Sequence, residues 1–233
     1  MARIIRYANT ASHGPAGTEY LLPASSDRFD DWLSRFVEMS ADDVATVVHK
    51  FWTSGHSSVM AIAAGLRTFE PRSLYHLEPC EWNDGHDFLL FENERHVMLI
   101  PEQSEAEPDS KVNPELLDLI RCFDGIRFGY NPHPDDDTLR SDSGFEKLST
   151  LKRISESDES YFWECDDSVI GGFWFFSTSC GNRLCRREDG TIAKWNIGSG
   201  EIDDAFESLE SFAESFVECY VECKIDEHSP LYY

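Results

Sequence analysis

The apolar positions of the first hundred residues predict helices followed by a small sheet. Residues 25–39 carry apolar side chains at helical spacing, with Ser26 and Asp27 as candidate caps. A second helix begins at Ser40, with Asp43 in the capping-box position. Its apolar stripe comprises Val44, Val47, Val48 and Phe51. The small-residue run SSVMAIAAGL predicts a third helix, and SLYHL, DFLLFE and HVMLI have strand composition, the last two joined by ENER as a predicted pair.

The second half of the chain alternates between helical and strand periods. Asn113 is a good N-cap and Pro114 suits the first helical turn. The short helix that begins there ends at Gly125. From Gly172 onward, GFWFFST, RLCRRE and TIAKWN each have strand length and are separated by Gly-Asn and Asp-Gly turn signals. These segments predict a meander of three antiparallel strands.

Residues 203–223 keep helical spacing through almost five turns, which predicts one long closing helix. Asp203 and Asp204 would then lie at the positive end of its dipole. The predicted apolar face comprises Phe206, Leu209, Phe212, Ala213, Phe216, Val217, Tyr220 and Val221. The opposite face carries Glu207, Glu210, Glu214, Glu218 and Glu222.

Together these elements predict an α+β fold. We expect an antiparallel meander sheet flanked by helices in the C-terminal half, preceded by a helical segment with a small sheet. The acidic, proline-containing run 101–111 has the composition of a linker or surface loop. We therefore assign residues 1–105 to an N-terminal α+β segment and residues 106–233 to a second domain.

The stretch FFSTSCGNRLCRREDGTIAKW, residues 175–195, is compatible at first sight with a metal knuckle, a phosphate-binding loop or two sheet turns. A structural zinc site requires two close pairs of ligands, and the spacing of Cys180 and Cys185 does not supply them. The glycines match neither a Walker loop nor a dinucleotide fingerprint. Two tight turns are therefore the predicted structure, and the sequence predicts no metal and no cofactor.

Charge is the strongest property of the whole chain. Forty-four acidic against 20 basic side chains give a formal charge of −24. Such a surface repels phosphate backbones and anionic lipids and attracts basic partners. We therefore expect a protein partner of basic character, no direct nucleic-acid binding and no membrane association. The start of the chain has no apolar run of signal-peptide length, which favours a cytoplasmic location, and the seven cysteines are interpreted as thiols.

One loop offers candidate catalytic chemistry. In NPHPDDDTL, His133 stands beside Asp135, Asp136 and Asp137, a grouping suited to acid–base or divalent-metal chemistry. This loop motivates an alternative interpretation, a metal-assisted hydrolase or transferase. The remaining histidines lack zinc-protease spacing, and no serine or cysteine lies in a nucleophile elbow. A non-enzymatic protein is therefore the leading interpretation.

The order of elements in residues 112–223 resembles the Smi1/Knr4-like domain of the SUKH superfamily. NPELLDLIRCFDGIRFG occupies the position of the family's first helix and its glycine break, with Asp124-Gly125 for Asn-Gly and Ile126 where a second glycine is common. The segment from GGFWFFST to the closing helix is similar to the family's strands, Gly-Asn turn, Asp-Gly turn and tryptophan strand. The first hundred residues are not covered by this resemblance.

The resemblance implies a protein-binding module without catalytic residues or cofactor. Many bacterial members are immunity proteins that neutralise a toxin, often a nuclease, and eukaryotic relatives are regulatory scaffolds. Since nuclease toxins are commonly basic, the acidic composition agrees with an immunity protein. A housekeeping scaffold is the other binding function that the resemblance allows.

Two acidic patches are the candidate partner-binding surfaces. One is the loop with Asp135, Asp136 and Asp137, which we favour because loops often present recognition residues. The other is the helical stripe of Glu207, Glu210, Glu214 and Glu218.

Overall fold

The strands of this protein follow one another across the sheet in the order in which they occur along the chain. A computed structural model describes residues 3–7, 31–36, 39–77, 86–94, 96–103, 111–130, 143–155, 166–178, 181–196, 198–224 and 229–231. The ten strands are β1 (Arg3–Tyr7), β2 (Glu70–Leu77), β3 (His86–Glu92), β4 (His96–Ile100), β5 (Arg127–Tyr130), β6 (Ser143–Phe145), β7 (Phe173–Ser177), β8 (Arg183–Arg186), β9 (Ile192–Trp195) and β10 (Ile202–Phe206). Strands β2 to β10 form an antiparallel meander, and β1 pairs in parallel with β2 at one edge.

The helices pack on one face of this sheet. They are α1 (Asp31–Ser34), α2 (Ala41–His49), α3 (Ser57–Leu66), α4 (Pro114–Phe123) and α5 (Leu209–Phe216), and α5 continues into a π-helical turn over Val217–Val221. Buried side chains of all five helices belong to a single apolar cluster with the inward residues of the sheet. The predicted α+β architecture, an antiparallel sheet flanked by helices, is confirmed.

Local signals explain where several elements begin. The Ser40 hydroxyl accepts a hydrogen bond from Asp43 N at 3.2 Å, and the Asn113 side chain accepts one from Glu115 N at 2.9 Å. Each cap satisfies a backbone donor that the first turn of a helix cannot pair internally. The predicted caps Ser26 and Asp27 lie outside the described residues.

The two turns predicted between β7 and β9 are present. Gly181 and Gly190 have φ values of 80° and 97°, a conformation that glycine adopts without steric cost. Asp189 Oδ1 accepts hydrogen bonds from both the backbone N and the hydroxyl of Thr191, which also lower the pKa of Asp189. Strands β7, β8 and β9 are consecutive and antiparallel, as predicted.

The start predicted for the closing helix is wrong. Asp203 and Asp204 lie in β10, which pairs antiparallel with β9, and α5 begins only at Leu209. Ser208 and Ser211 form a reciprocal capping box that defines this start. Phe206 has helical spacing to the following apolar residues although its backbone is extended, so periodicity alone placed it in the helix. The meander therefore has one strand more than predicted in this region.

The prediction for Phe51 is also wrong. It was predicted to belong to the apolar stripe of α2, but its side chain is 47% exposed. The helix ends at His49, so Phe51 no longer follows the helical spacing that buries Val44 and Val48.

The sheet continues across the predicted boundary between residues 1–105 and 106–233. The boundary itself falls in 104–110, outside the described residues, whereas β4 on one side and β5 on the other are hydrogen-bonded neighbours. The apolar cluster also includes residues from both segments. The strands predicted as a small N-terminal sheet are thus part of one large sheet.

Candidate functional site

Helix α5 is positioned by an aromatic face that the sheet covers. Phe212 and Phe216 are fully buried, and the Phe212 ring centroid lies 5.1 Å from that of Phe175 and 5.6 Å from that of Phe176. Tyr220, one turn beyond Phe216, contacts Phe128 at 5.1 Å between ring centroids. Because these side chains recur every four residues, the residues between them are held toward solvent.

Glu210, Glu214 and Glu218 lie at such outward positions, whereas Glu207, predicted on the same helix, lies just before its start. All four carboxylates are exposed, and together they are here called the acidic helix face. Glu207, Glu210 and Glu214 form no ion pair with any residue in the described ranges. Glu218 lies 3.5 Å from Lys224 Nζ, which is closer to Glu222 at 2.6 Å. The hydrogen bond and charge of Glu222 raise the pKa of Lys224.

The surrounding sequence strengthens this negative field. Residues 195–223 contain eight carboxylates and no Lys, Arg or His. Asp203 and Asp204 are exposed on β10, at the free edge of the sheet, and Asp204 Oδ1 pairs with Arg187 Nη1 at 2.5 Å. Charged side chains on an edge strand also discourage pairing with another sheet. The acidic helix face is therefore part of a longer segment of one charge sign.

The loop with Asp135, Asp136 and Asp137 is the other predicted binding surface. Asp135, Asp136, Asp137 and His133 lie outside the described residues, in the connection from β5 to β6. Within the described residues, no three His, Cys, Asp or Glu side chains are grouped to hold a metal ion. The hydrolase interpretation rests on the loop outside the described residues and stays a prediction.

Sequence reasoning missed a concentration of cations on the molecule. Four of the chain's 20 basic residues line a cavity of about 570 Å³ beside the start of α4, namely Lys111, Arg153, Arg186 and Arg187. Four more line a second cavity of about 360 Å³, namely Arg127, Lys147, Lys152 and Arg183. The net charge of the chain does not indicate that basic residues are grouped around two cavities. The signal available in the sequence was the repeated arginine within the strand segment RLCRRE.

Comparisons with known proteins provide no relative. No protein-family model matches the chain, and neither a curated protein nor a solved structure matches it significantly. The resemblance of residues 112–223 to the SUKH superfamily stays a prediction. None of the helices in the described ranges combines the length and apolar composition of a membrane span.

Proposed function

We propose that this protein is a non-enzymatic binding module whose acidic helix face docks onto a basic protein partner. The observation that carries the proposal is the exposure of Glu210, Glu214 and Glu218 on a helical segment whose other side is buried, with exposed Glu207 just before its start. Aromatic packing fixes the backbone of this helix, so only the exposed glutamate side chains need to be ordered when a partner binds. Complementary charge accelerates association and discriminates against acidic competitors.

The more specific proposal is an immunity protein that neutralises a nuclease-type toxin. Two observations support it, the resemblance of residues 112–223 to the SUKH superfamily and the formal charge of −24. A nuclease surface must attract a polyanion, so an acidic inhibitor is electrostatically matched to it. Neutralisation requires only occlusion of that surface, which agrees with a function in which this chain supplies no catalytic residue.

Co-expression tests the immunity function. A toxin-like gene adjacent to the gene for this protein is expressed in a heterologous host with and without it, and colony formation is counted. The proposal predicts that the wild-type protein restores growth. Absence of a toxin-like or secretion-linked neighbouring gene, or growth arrest that the protein does not relieve, contradicts the immunity function.

A charge variant tests the surface. The helix-face variant combines Glu207→Gln, Glu210→Gln, Glu214→Gln and Glu218→Gln. The control variant combines Asp42→Asn, Glu94→Gln, Glu102→Gln and Asp167→Asn, four exposed carboxylates located elsewhere. Both variants lose the same net charge, so growth rescue lost only in the helix-face variant assigns binding to that helix. Equal rescue by both variants contradicts the assignment.

A further inference from the structure

The face of the sheet opposite the helices contains a recess bordered by basic side chains. Arg127 and Arg183 flank the inward-pointing core residues Phe128 and Leu184, so strand alternation directs both arginines to the opposite face. Cross-strand register places Arg127, Gly144, Ser177 and Arg183 in one row across β5 to β8. Gly144 has no side chain, and Arg127 Cδ lies 2.9 Å from the position that a Cβ atom of Gly144 would take. A cavity of about 360 Å³ is lined by Arg127, Trp174, Arg183 and four residues that follow β6, namely Glu146, Lys147, Thr150 and Lys152.

Three of the four cations that line this basic recess have no partner among the described residues. The side chains of Arg127, Lys147 and Arg183 form no ion pair or hydrogen bond with any residue that the structure describes. Among the described residues that border the recess, Glu146 is the single carboxylate. Three neighbouring cations that have no partner among the described residues repel one another, and a bound anion relieves that repulsion.

A tryptophan forms one wall of the basic recess. Trp174 is half-buried and stacks on the buried Trp195, with ring centroids 5.4 Å apart and an interplanar angle of 26°. A β-bulge between Trp174 and Phe176 places Trp174 on the same face as Ser177 and Arg183. The indole is thus fixed in orientation beside the cations. A fixed indole beside positive charge suits a ligand with a planar ring and an anionic group.

We propose that the basic recess binds a ribonucleoside 5′-monophosphate. The phosphate monoester, with about two negative charges near neutral pH, lies among Arg127, Lys147 and Arg183. The base lies against Trp174, and Glu146 accepts hydrogen bonds from the ribose hydroxyls. Glu146 Oε1 also accepts a hydrogen bond from Ser177 Oγ at 3.4 Å.

Size and charge select a mononucleotide over a polymer. The cavity volume falls within the range of about 300–1,000 Å³ that is typical of small-molecule sites. A nucleic acid would extend beyond the recess along a protein of formal charge −24, which repels its additional phosphates. The site is separate from the acidic helix face, because α5 packs on the other side of the sheet.

Isothermal titration calorimetry at low salt tests the assignment. The full-length protein is titrated with AMP, GMP, CMP and UMP, and in parallel with inorganic phosphate, adenosine and a single-stranded RNA hexamer. We expect at least one monophosphate to bind with a Kd below about 1 mM, and adenosine and phosphate to bind at least about tenfold more weakly. Failure of all four monophosphates to bind overturns the proposal. Equal affinity for phosphate, or tighter binding of the hexamer, overturns the nucleotide assignment.

Variants locate the binding site. Arg127→Gln, Arg183→Gln and Trp174→Leu should each weaken binding by about tenfold or more, since each removes a charge-assisted or stacking contact. Arg121→Gln, at an exposed arginine of α4, is the matched control and should leave Kd unchanged. Melting curves verify that each variant is folded. Arg127 is exposed, so Arg127→Gln remains informative if a substitution at a more buried position prevents folding. An unchanged Kd in Arg127→Gln contradicts the proposed site.

Discussion

Gly65 of α3 lies directly against Val221 at the end of the closing helical segment. A Cβ atom added at Gly65 would lie 2.8 Å from Val221 Cγ2, closer than real side-chain contacts permit. Asn93, in the turn between β3 and β4, also donates from its side chain to the carbonyl of Tyr220 at 3.1 Å. Elements from the two ends of the chain therefore share one closely packed interface.

Gly65→Ala should destabilise the protein by about 1–3 kcal/mol because overpacking exceeds the usual helical benefit of alanine. The clash is with a β-branched side chain, which has little freedom to rotate. In a Val221→Ala background, the same substitution should become neutral or stabilising. Urea denaturation of the four proteins of this double-mutant cycle measures the coupling. A Gly65→Ala effect that is identical in both backgrounds contradicts the contact.

Phe212→Ala should reduce the free energy of unfolding by about 3–5 kcal/mol, because its ring is fully buried among aromatic side chains of the sheet. Phe51→Ala is the matched control, since the same atoms are removed from a half-exposed position, and its effect should stay within about 1 kcal/mol. Chemical denaturation gives both values. Similar losses for the two variants would show that α5 is not seated on the sheet as described.

The pH dependence of stability should include a contribution from His49. Burial, followed by the charge of Arg67, lowers the pKa of His49 below its ordinary value of 6.5, and its Nε2 atom is buried without a hydrogen-bond partner in the described ranges. The unfolded chain therefore binds this proton more readily than the folded protein. Stability should fall as the pH drops below about 6.5 toward the folded-state pKa.

His49→Gln isolates this contribution from that of the other titrating groups. As the pH falls from about 7 to about 5, the unfolding free energy of the wild type should decrease relative to that of the variant. Denaturation at several pH values measures it. A difference that does not change with pH contradicts the burial of a neutral imidazole.

Among the described cysteines, Cys223 should react with alkylating reagents before Cys122. Burial, followed by the charge of Asp118, raises the pKa of the Cys122 thiol to about 11, so little thiolate is present near neutral pH. Cys223 is only half-buried, and its Sγ lies 3.6 Å from His96 Nδ1. Timed iodoacetamide labelling with peptide mass spectrometry ranks the two sites. Faster labelling of Cys122 in the native protein would contradict its environment.

Elements with strong local signals were predicted well from the sequence. Asn113 followed by Pro114 marks the start of α4, and the glycines at 181 and 190 mark the turns of the meander, because caps and tight turns depend on neighbouring residues only. Strand β10 was missed because Phe206 has helical spacing to Leu209, whereas the pairing with β9 that fixes its extended backbone is a tertiary interaction.

The two candidate surfaces also differ in whether local sequence or tertiary structure determines them. The exposure of Glu210, Glu214 and Glu218 follows from spacing within one helical segment, whereas Glu207 is exposed before that segment begins. The basic recess requires the register of β5 to β8, which brings Arg127 and Arg183 together from positions far apart in the chain. Because net charge sums over both surfaces, it indicated the acidic excess of the chain and not the basic recess.

Affinity capture with three immobilised baits tests the central claim that the acidic helix face binds a basic protein. Wild type, the helix-face variant and the control variant are incubated with lysate of the source cell at low and high salt, and bound proteins are quantified by mass spectrometry. We predict a basic protein retained by wild type and control at low salt, reduced about tenfold or more on the helix-face variant, and released at high salt. Equal capture by the helix-face variant, or no basic protein captured by wild type, would contradict the claim.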